Sequence, residues 1–205
     1  MTSHPRIYLS SQSPRRRELL KQIGVSFETL LLHSSPGLNM EVDESPRTGE
    51  APEIYVQRIC QDKVNAGRKV LRIRNLPPLP VLAADTCVSL DGKIIGKPQD
   101  SEQAVAILRT LSGCQHQVLS AVAVSFEGRT EMRLSASKVT FARLSEERIR
   151  RYVFTSEPLD KAGAYAIQGY AAAFIQHIDG SYSGVMGLPL FETAELLQQF
   201  GYPIP

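Results

Sequence analysis

The sequence predicts an α/β protein built around a mixed sheet, and three observations carry this prediction. Strand-like and helix-like segments alternate along the chain, as they do when helices cover the faces of a sheet. The run VLAADTCVSL, residues 81–90, is apolar almost throughout and suits a strand buried on both faces. Residues 117–126 and 129–141 have strand character and are joined at Glu127-Gly128, so at least one strand pair is antiparallel.

The first part of the chain predicts two strands and two helices. Strand patterns occur at 6–10 and 25–32, and helix patterns at 14–22 and at 52 to about 70. Gly24 follows the first helix, where a glycine commonly ends a helix. The polar segment 33–52 is rich in turn-forming residues, and a loop of this length in a small domain is commonly functional.

The remainder predicts a hairpin, three helices and at least one more strand. Asp91-Gly92 directly follows the apolar run and is a strong hairpin-turn signal. Helices are expected in DSEQAVAILRTLSG, where Asp100 or Ser101 is the cap, in LSEERIRRYV, where Ser145 is the cap, and in GLPLFETAELLQQFG. The segment AYAIQGYAAAFIQHIDG is expected to contain a further strand.

Length and charge bound the class of protein. The chain has 205 residues, 42% of them hydrophobic, which suits one domain over 1–205 or one domain built as two lobes. Lys and Arg number 23 against 21 Asp and Glu, so no overall field draws the molecule to nucleic acid or membrane. The chain begins without the apolar core of a signal peptide. We therefore expect a cytoplasmic protein with no membrane partner and no stable nucleic-acid partner.

The cysteines and histidines predict neither a disulfide framework nor a zinc site. The cysteines are odd in number and far apart, and the histidines have no metal-ligand spacing. We expect the cysteines to be core thiols and the histidines to be hydrogen-bonded or exposed. The residues are Cys60, Cys87, Cys114, His4, His33, His116 and His177.

The segment SSQSPRRREL places three arginines at the start of a predicted helix. Ser13 suits the N-cap and Pro14 the first helical position. Cations in a first helical turn cost roughly 0.3–1 kcal/mol each, so Arg15 and Arg16 indicate a nearby anion, and the free N–H groups there bind phosphate. The alternatives are an exposed basic turn or a tail that binds the DNA minor groove, which the single copy disfavours. Arg17 is expected to face solvent.

Asp85 and Thr86 interrupt the apolar run, and a lysine follows the hairpin. A buried carboxylate is too costly without compensation, so a cation is expected beside Asp85, either in a structural pair or in a metal or general-base site. Lys97 is followed by Pro98, which gives a well-placed ammonium group. The stretch GKIIGKP is not a phosphate-binding P-loop, because three residues separate its glycines and proline follows its lysine.

An acidic cluster and a glutamine complete the set of candidate groups. EVDES, residues 41–45, offers carboxylates that suit Mg²⁺ supported by substrate phosphates, although such clusters are more often solvated surface. Gln168 can both donate and accept hydrogen bonds, which suits reading a base edge, although a structural amide is the default. Together these groups predict a nucleotide phosphate site with a divalent metal.

Six segments, in this order, resemble signatures of the Maf-like nucleoside triphosphate pyrophosphatases: LSSQSPRRREL, VDE, AADTCV, GKP, DKAGAYAIQG and GSYSGVMGLPL. The resemblance implies a Maf/ITPase-like α/β fold, with a mixed twisted central sheet, flanking helices and two lobes around a deep nucleotide-binding cleft, commonly as a homodimer. It also implies hydrolysis between the α and β phosphates, to a nucleoside monophosphate and pyrophosphate, with a divalent cation such as Mg²⁺ or Mn²⁺.

The resemblance implies a role for each motif residue. Asp85 would be the proton acceptor and, with Glu44, would hold the metal. Substrate choice would fall to Arg15, Thr86 and Gln168. Phosphate contacts would fall to Ser13, Arg16, Lys63 and Lys97.

Within this family one branch resembles hydrolases of dTTP and UTP, and another resembles hydrolases of 7-methyl-GTP. SPRR in place of a motif with tryptophan after the proline, and ADT in place of SDQ, favour the dTTP/UTP branch, with modified pyrimidine nucleotides as further substrates. The alternatives are a 7-methyl-GTP pyrophosphatase of the same family and a non-catalytic nucleotide sensor that regulates cell division or septum formation.

Overall fold

A computed structural model describes residues 6–32, 40 and 42–204 of the chain. Within them, one mixed sheet is flanked by helices on both faces. The strands are β1 (Arg6–Leu9), β2 (Ser26–Thr29), β3 (Val81–Leu90), β4 (Lys93–Ile95), β5 (Gln115–Phe126), β6 (Arg129–Phe141) and β7 (Ile175–Asp179). The helices are α1 (Pro14–Gln22), α2 (Pro52–Ile73), α3 (Ser101–Leu111), α4 (Glu146–Phe154), α5 (Tyr182–Met186) and α6 (Leu190–Gln199). None of these helices is both long and apolar enough to cross a bilayer.

The sheet has the strand order β2-β1-β3-β5-β6-β7, and β4 forms a hairpin with β3. Strand β1 pairs in parallel with β2 and β3, whereas β3, β5, β6 and β7 pair antiparallel. Both strand directions therefore occur in one sheet, and the predicted α/β class with a mixed central sheet is confirmed.

The two predicted hairpin turns are present. Asp91 and Gly92 have φ of 50° and 73°, and Glu127 and Gly128 have φ of 48° and 83°. A two-residue turn with positive φ at both positions matches the twist of the strands on either side, and glycine at the second position adopts it without steric cost.

Alternation along β3 sends Asp85 and Thr86 to opposite faces of the sheet. Ala83 and Cys87, which share a face with Asp85, pack in the core beneath α2. Ala84 shares the face of Thr86 and packs in the core that includes α1 and α6. The dipeptide therefore exposes a carboxylate to one layer of helices and a hydroxyl to the other.

A glycine lets α2 lie close to the sheet. Gly67 is buried, and a Cβ atom there would lie 2.9 Å from the Ser10 hydroxyl oxygen and 2.9 Å from Cγ1 of Val81. The Ser10 hydroxyl also donates to the Lys63 carbonyl at 3.1 Å. This close approach brings the side chain of Lys63 within reach of β3.

Three segments differ from the sequence prediction. The strand expected over 25–32 covers only Ser26–Thr29, and the strand expected in 164–180 occupies only its end, as β7. Helix α5 was not predicted, because five residues are too few to show helical periodicity; Ser181 caps it by accepting a hydrogen bond from Gly184 N at 3.0 Å. Part of the predicted loop 33–52, residues 33–39 and 41, lies outside the described residues.

Candidate active site

Lys63 joins two carboxylates. Its ammonium nitrogen lies 2.7 Å from Oδ1 of Asp85 and 2.7 Å from Oε1 of Glu44. Asp85 is only 6% exposed, so the neighbouring ammonium compensates a carboxylate that burial would otherwise make costly. The cation expected beside Asp85 is therefore present. Its source is Lys63 on α2, which the family resemblance had assigned to phosphate contact and which the residue pattern had not singled out, because a lysine on a helix usually marks a solvated face.

Glu44 lies in a positive environment. Burial raises the pKa of its carboxyl group, but the charge of Lys63 and the hydrogen bond from it outweigh burial, and the pKa is lowered overall. Lys97 and Arg16 lower the Glu44 pKa further. The carboxylate therefore stays ionised at neutral pH within a group of three cations.

Side chains from α2 hold the loop that carries Glu44. The Tyr55 hydroxyl donates to the Glu44 carbonyl at 2.9 Å, and Arg58 donates to the Ser45 carbonyl at 3.1 Å. Arg58 also forms a two-bond ion pair with Glu50, at 2.6 and 2.7 Å, and this pair lowers the pKa of Glu50 to about 2. No local sequence motif predicts these contacts, because each of them joins a loop to a helix.

The start of α1 has the predicted caps. Pro14 is the first helical residue, and the Ser13 hydroxyl accepts a hydrogen bond from Arg16 N at 3.5 Å. Arg16 turns back across the site, where its Nε donates to the Gly187 carbonyl at 2.8 Å and another guanidinium nitrogen donates to the Ser11 hydroxyl at 3.2 Å. Burial lowers the pKa of Arg16, and the charge of Asp85 opposes this shift.

Arg15 and Arg17 differ from Arg16. Both are half-buried, and neither side chain has a hydrogen-bond partner among the described residues. Burial raises the pKa of Tyr152 on α4, and the positive charge of Arg15 opposes this rise. The contacts therefore set Arg16 apart from both of its neighbours and do not separate Arg15 from Arg17, and Arg17 is less exposed than the sequence suggested.

Thr86 lies on the opposite face of β3, beside Gly187. Its hydroxyl contacts the Ser120 hydroxyl at 2.8 Å, and the two residues are direct partners across β3 and β5. Ser120 is buried and donates to the Gly184 carbonyl at 2.6 Å. A Cβ atom built on Gly187 would lie 3.8 Å from both Thr86 Oγ1 and Arg16 Nε, so these three residues line one region.

Gln168 is exposed, and among the described residues its side chain has no hydrogen-bond partner. The backbone on either side of it is held by the Tyr152 hydroxyl, which accepts from Ala166 N at 3.2 Å, and by Glu157, which accepts from Tyr170 N at 3.2 Å. Tyr152 in turn donates to Glu157 at 2.8 Å. Gln168 therefore has a firm backbone and a free amide, and no contact joins it to Lys63.

The donor set around Lys63 suits a hard cation held partly by substrate. The described residues contain no group of three or more His, Cys, Asp and Glu side chains that could enclose a metal. Mg²⁺ does not need one, because it binds through one or two carboxylates together with water and phosphate oxygens. Asp85 and Glu44, which already share one cation, fit that requirement.

The two buried cysteines near Asp85 take no part in this set. Burial raises the pKa of both Cys60 and Cys87 to about 12, so neither thiol is ionised at neutral pH.

A separate cavity of about 430 Å³ lies beside the loop that carries Glu44 and is lined by charged side chains, including Arg58, Asp62 and Lys69. Neither Lys63 nor Asp85 contributes to its wall.

A solved structure shares the fold. The Ham1 protein of Staphylococcus aureus aligns with 95% of this chain and 97% of its own, with a TM-score of 0.51. The two sequences are 17% identical, so the likeness shows the fold alone. A mixed sheet with flanking helices is thus a known architecture for a chain of this length.

Relatives match the chain from end to end. A protein of Aromatoleum aromaticum named dTTP/UTP pyrophosphatase is 56% identical and covers 97% of both chains. A protein of Nitrosomonas europaea with the same name is 54% identical over 97% of this chain and 96% of its own. The family model described as Maf-like protein matches residues 6–200. With that match and these relatives, the chain belongs to the Maf-like protein family.

Proposed function

We propose that this chain hydrolyses dTTP and UTP to the nucleoside monophosphate and pyrophosphate. The observation that carries the proposal is the name dTTP/UTP pyrophosphatase, which belongs to relatives 51–56% identical to this chain over 96–97% of its length. The geometry supplies suitable chemistry, because a buried carboxylate, three cations and a helix N-terminus lie in one region.

Asp85 is the proposed proton acceptor for the attacking water. It lies within a buried part of β3, and Lys63 holds its carboxylate at 2.7 Å in one orientation. A fixed carboxylate can orient a water molecule toward the α-phosphorus and take its proton as the new P–O bond forms. The electron pair of the breaking P–O bond leaves with the pyrophosphate.

The phosphates are assigned to the basic groups around this carboxylate. Arg16 already has its guanidinium held by Gly187 and Ser11, so a bound phosphate would meet a cation in a defined position. Ser13 and the first N–H groups of α1 add donors, and Lys63 and Lys97 add charge. These groups neutralise charge that grows on the leaving pyrophosphate.

Mg²⁺ or Mn²⁺ belongs to the same proposal, with Asp85 and Glu44 as its protein ligands. When bound, such an ion neutralises phosphate charge and lowers the pKa of a coordinated water.

We assign base selection to three further residues, Arg15, Thr86 and Gln168. Gln168 fits this role because its amide is exposed on a supported backbone. We also propose that the enzyme is a cytoplasmic homodimer, and light scattering of the purified protein tests whether it is a dimer.

The test is a substrate panel. The purified protein is incubated with dTTP, UTP, CTP and 7-methyl-GTP, with Mg²⁺, with Mn²⁺ or with EDTA, and pyrophosphate and monophosphate are measured. Release from dTTP and UTP that EDTA abolishes supports the proposal. Preference for 7-methyl-GTP would assign the other branch. Nucleotide binding without any release would favour a sensor.

A further inference from the structure

The direction of the hydrogen bonds from Ser120 is determined by its partners. A carbonyl oxygen only accepts hydrogen bonds, so the 2.6 Å contact between the Ser120 hydroxyl and the Gly184 carbonyl uses the single proton of Ser120. The Gly184 carbonyl also accepts from Gly187 N at 3.0 Å, which ties it into the turn that ends α5. Ser120 is buried, so no water competes for its proton.

The same reasoning determines the direction of the hydrogen bond made by the Thr86 hydroxyl. With the Ser120 proton already donated, the 2.8 Å contact between the two hydroxyl groups requires Thr86 to donate and Ser120 to accept. Thr86 has one hydroxyl proton and is partly exposed, so its oxygen offers only lone pairs to a ligand in the region that it lines with Gly187 and Arg16. A threonine that could otherwise donate or accept is thereby restricted to accepting.

We propose that Ser120 is a positioning residue that makes Thr86 an acceptor for the N3–H group of uracil or thymine. This inference rests on the proposed function and specifies how its substrates are chosen. On the rings of uracil and thymine, N3–H is the single hydrogen-bond donor, whereas O2 and O4 only accept. Cytosine instead carries a lone pair at N3, which would meet the lone pairs of Thr86 without a shared proton. The chain from Thr86 through Ser120 to Gly184 therefore disfavours CTP.

The test compares two buried serines of β5. Ser120→Ala removes the acceptor for the Thr86 proton, so Thr86 becomes free to donate to cytosine N3. Ser125→Ala is the matched control, because Ser125 is equally buried and also lies between a carbonyl, that of Arg129, and a threonine hydroxyl, that of Thr130. Steady-state kcat and KM are measured for UTP, CTP and 3-methyl-UTP, which lacks the N3 proton.

We expect Ser120→Ala to lower the ratio of kcat/KM for UTP to that for CTP roughly three- to tenfold, mainly through KM, as the loss of one neutral hydrogen bond predicts. It should also reduce the preference of the wild-type protein for UTP over 3-methyl-UTP. Ser125→Ala should change neither ratio, even if it lowers the melting temperature as much as Ser120→Ala does.

An unchanged ratio in Ser120→Ala, or an equal change in Ser125→Ala, would overturn this inference while the wild-type protein still hydrolyses UTP. Absence of UTP and dTTP hydrolysis by the wild-type protein would overturn both this inference and the proposed function. If Ser120→Ala does not fold, Thr86→Val tests the same step at a partly exposed position. It should raise KM for UTP, which loses its acceptor, and lower KM for CTP, which loses the lone-pair repulsion; equal effects on both nucleotides would overturn the inference.

Discussion

The ammonium group of Lys63 lies 2.7 Å from a carboxylate oxygen of Asp85, and this contact joins helix α2 to strand β3. Asp85 and Lys63 are both mostly shielded from water, with side chains 9% and 15% exposed. Because Lys63 also contacts Glu44, a single side chain connects the buried strand to the acidic loop. The candidate site is therefore built around one cation placed between two carboxylates.

Replacement of Asp85 by asparagine should remove turnover and leave nucleotide binding largely intact. An amide has nearly the same shape but accepts a proton from water far less readily, so kcat should fall by about 10²–10⁴-fold. Pyrophosphate release measures turnover, and calorimetry measures binding. Asp62→Asn is the control, because Asp62 is half-exposed on α2 and pairs only loosely with Arg58, at 3.9 Å. Full activity of Asp85→Asn would contradict the assignment.

The first-turn arginines should respond differently to lysine. Arg16→Lys keeps the charge but loses the planar group that donates to both Gly187 and Ser11, so kcat/KM should fall roughly tenfold or more. Arg17→Lys should stay within about twofold of wild type, because Arg17 has no side-chain hydrogen bond among the described residues. The substrate panel measures both variants, and equal losses would contradict the division of roles.

Alanine at position 67 should destabilise the protein although alanine favours helices. The new Cβ atom would lie 2.9 Å from atoms of Ser10 and Val81, both buried and short, so α2 must shift away from the sheet. Overpacking of this kind costs about 1–3 kcal/mol, which exceeds the gain of about 1 kcal/mol from helix propensity. Urea unfolding measures the change. Gly96→Ala, where a Cβ atom meets nothing within 4 Å, should be nearly neutral.

His116 should make stability depend on pH between about 4 and 6.5. Its Nε2 lies 2.9 Å from the Tyr165 hydroxyl, and burial lowers the pKa of the imidazole from 6.5 to about 4. As pH falls through this window, the unfolded chain takes up a proton that the folded chain does not. The free energy of unfolding therefore falls by up to about 1.4 kcal/mol per pH unit.

The check on His116 is urea unfolding at several pH values for the wild type and His116→Gln. The loss of stability toward pH 4 should be smaller in His116→Gln, because glutamine does not titrate. His177→Gln is the control, since His177 is exposed on β7. Parallel curves for the wild type and His116→Gln would show that His116 does not carry the effect.

Local signals predicted the elements best where a residue acts on its own neighbours. Ser13 and Pro14 begin α1 as expected, and Asp91-Gly92 forms the expected turn, because a cap or a positive φ involves only a few consecutive residues. Helix α5 was missed because five residues carry no periodicity. Strand β2 was overestimated, because an apolar run does not show how far its partner strand extends.

The sequence by itself determined the fold class, most elements and, through its family motifs, the set of candidate site residues. Tertiary structure alone decided their partners: Lys63 and Asp85 lie 22 residues apart in sequence, Ser120 and Gly184 lie 64 apart, and Arg16 and Gly187 lie 171 apart. Hydrogen bonds act over about 3 Å, and only strand register and helix packing bring such distant groups that close. For the same reason, the proton direction at Thr86 depends on a carbonyl that its own strand does not contain.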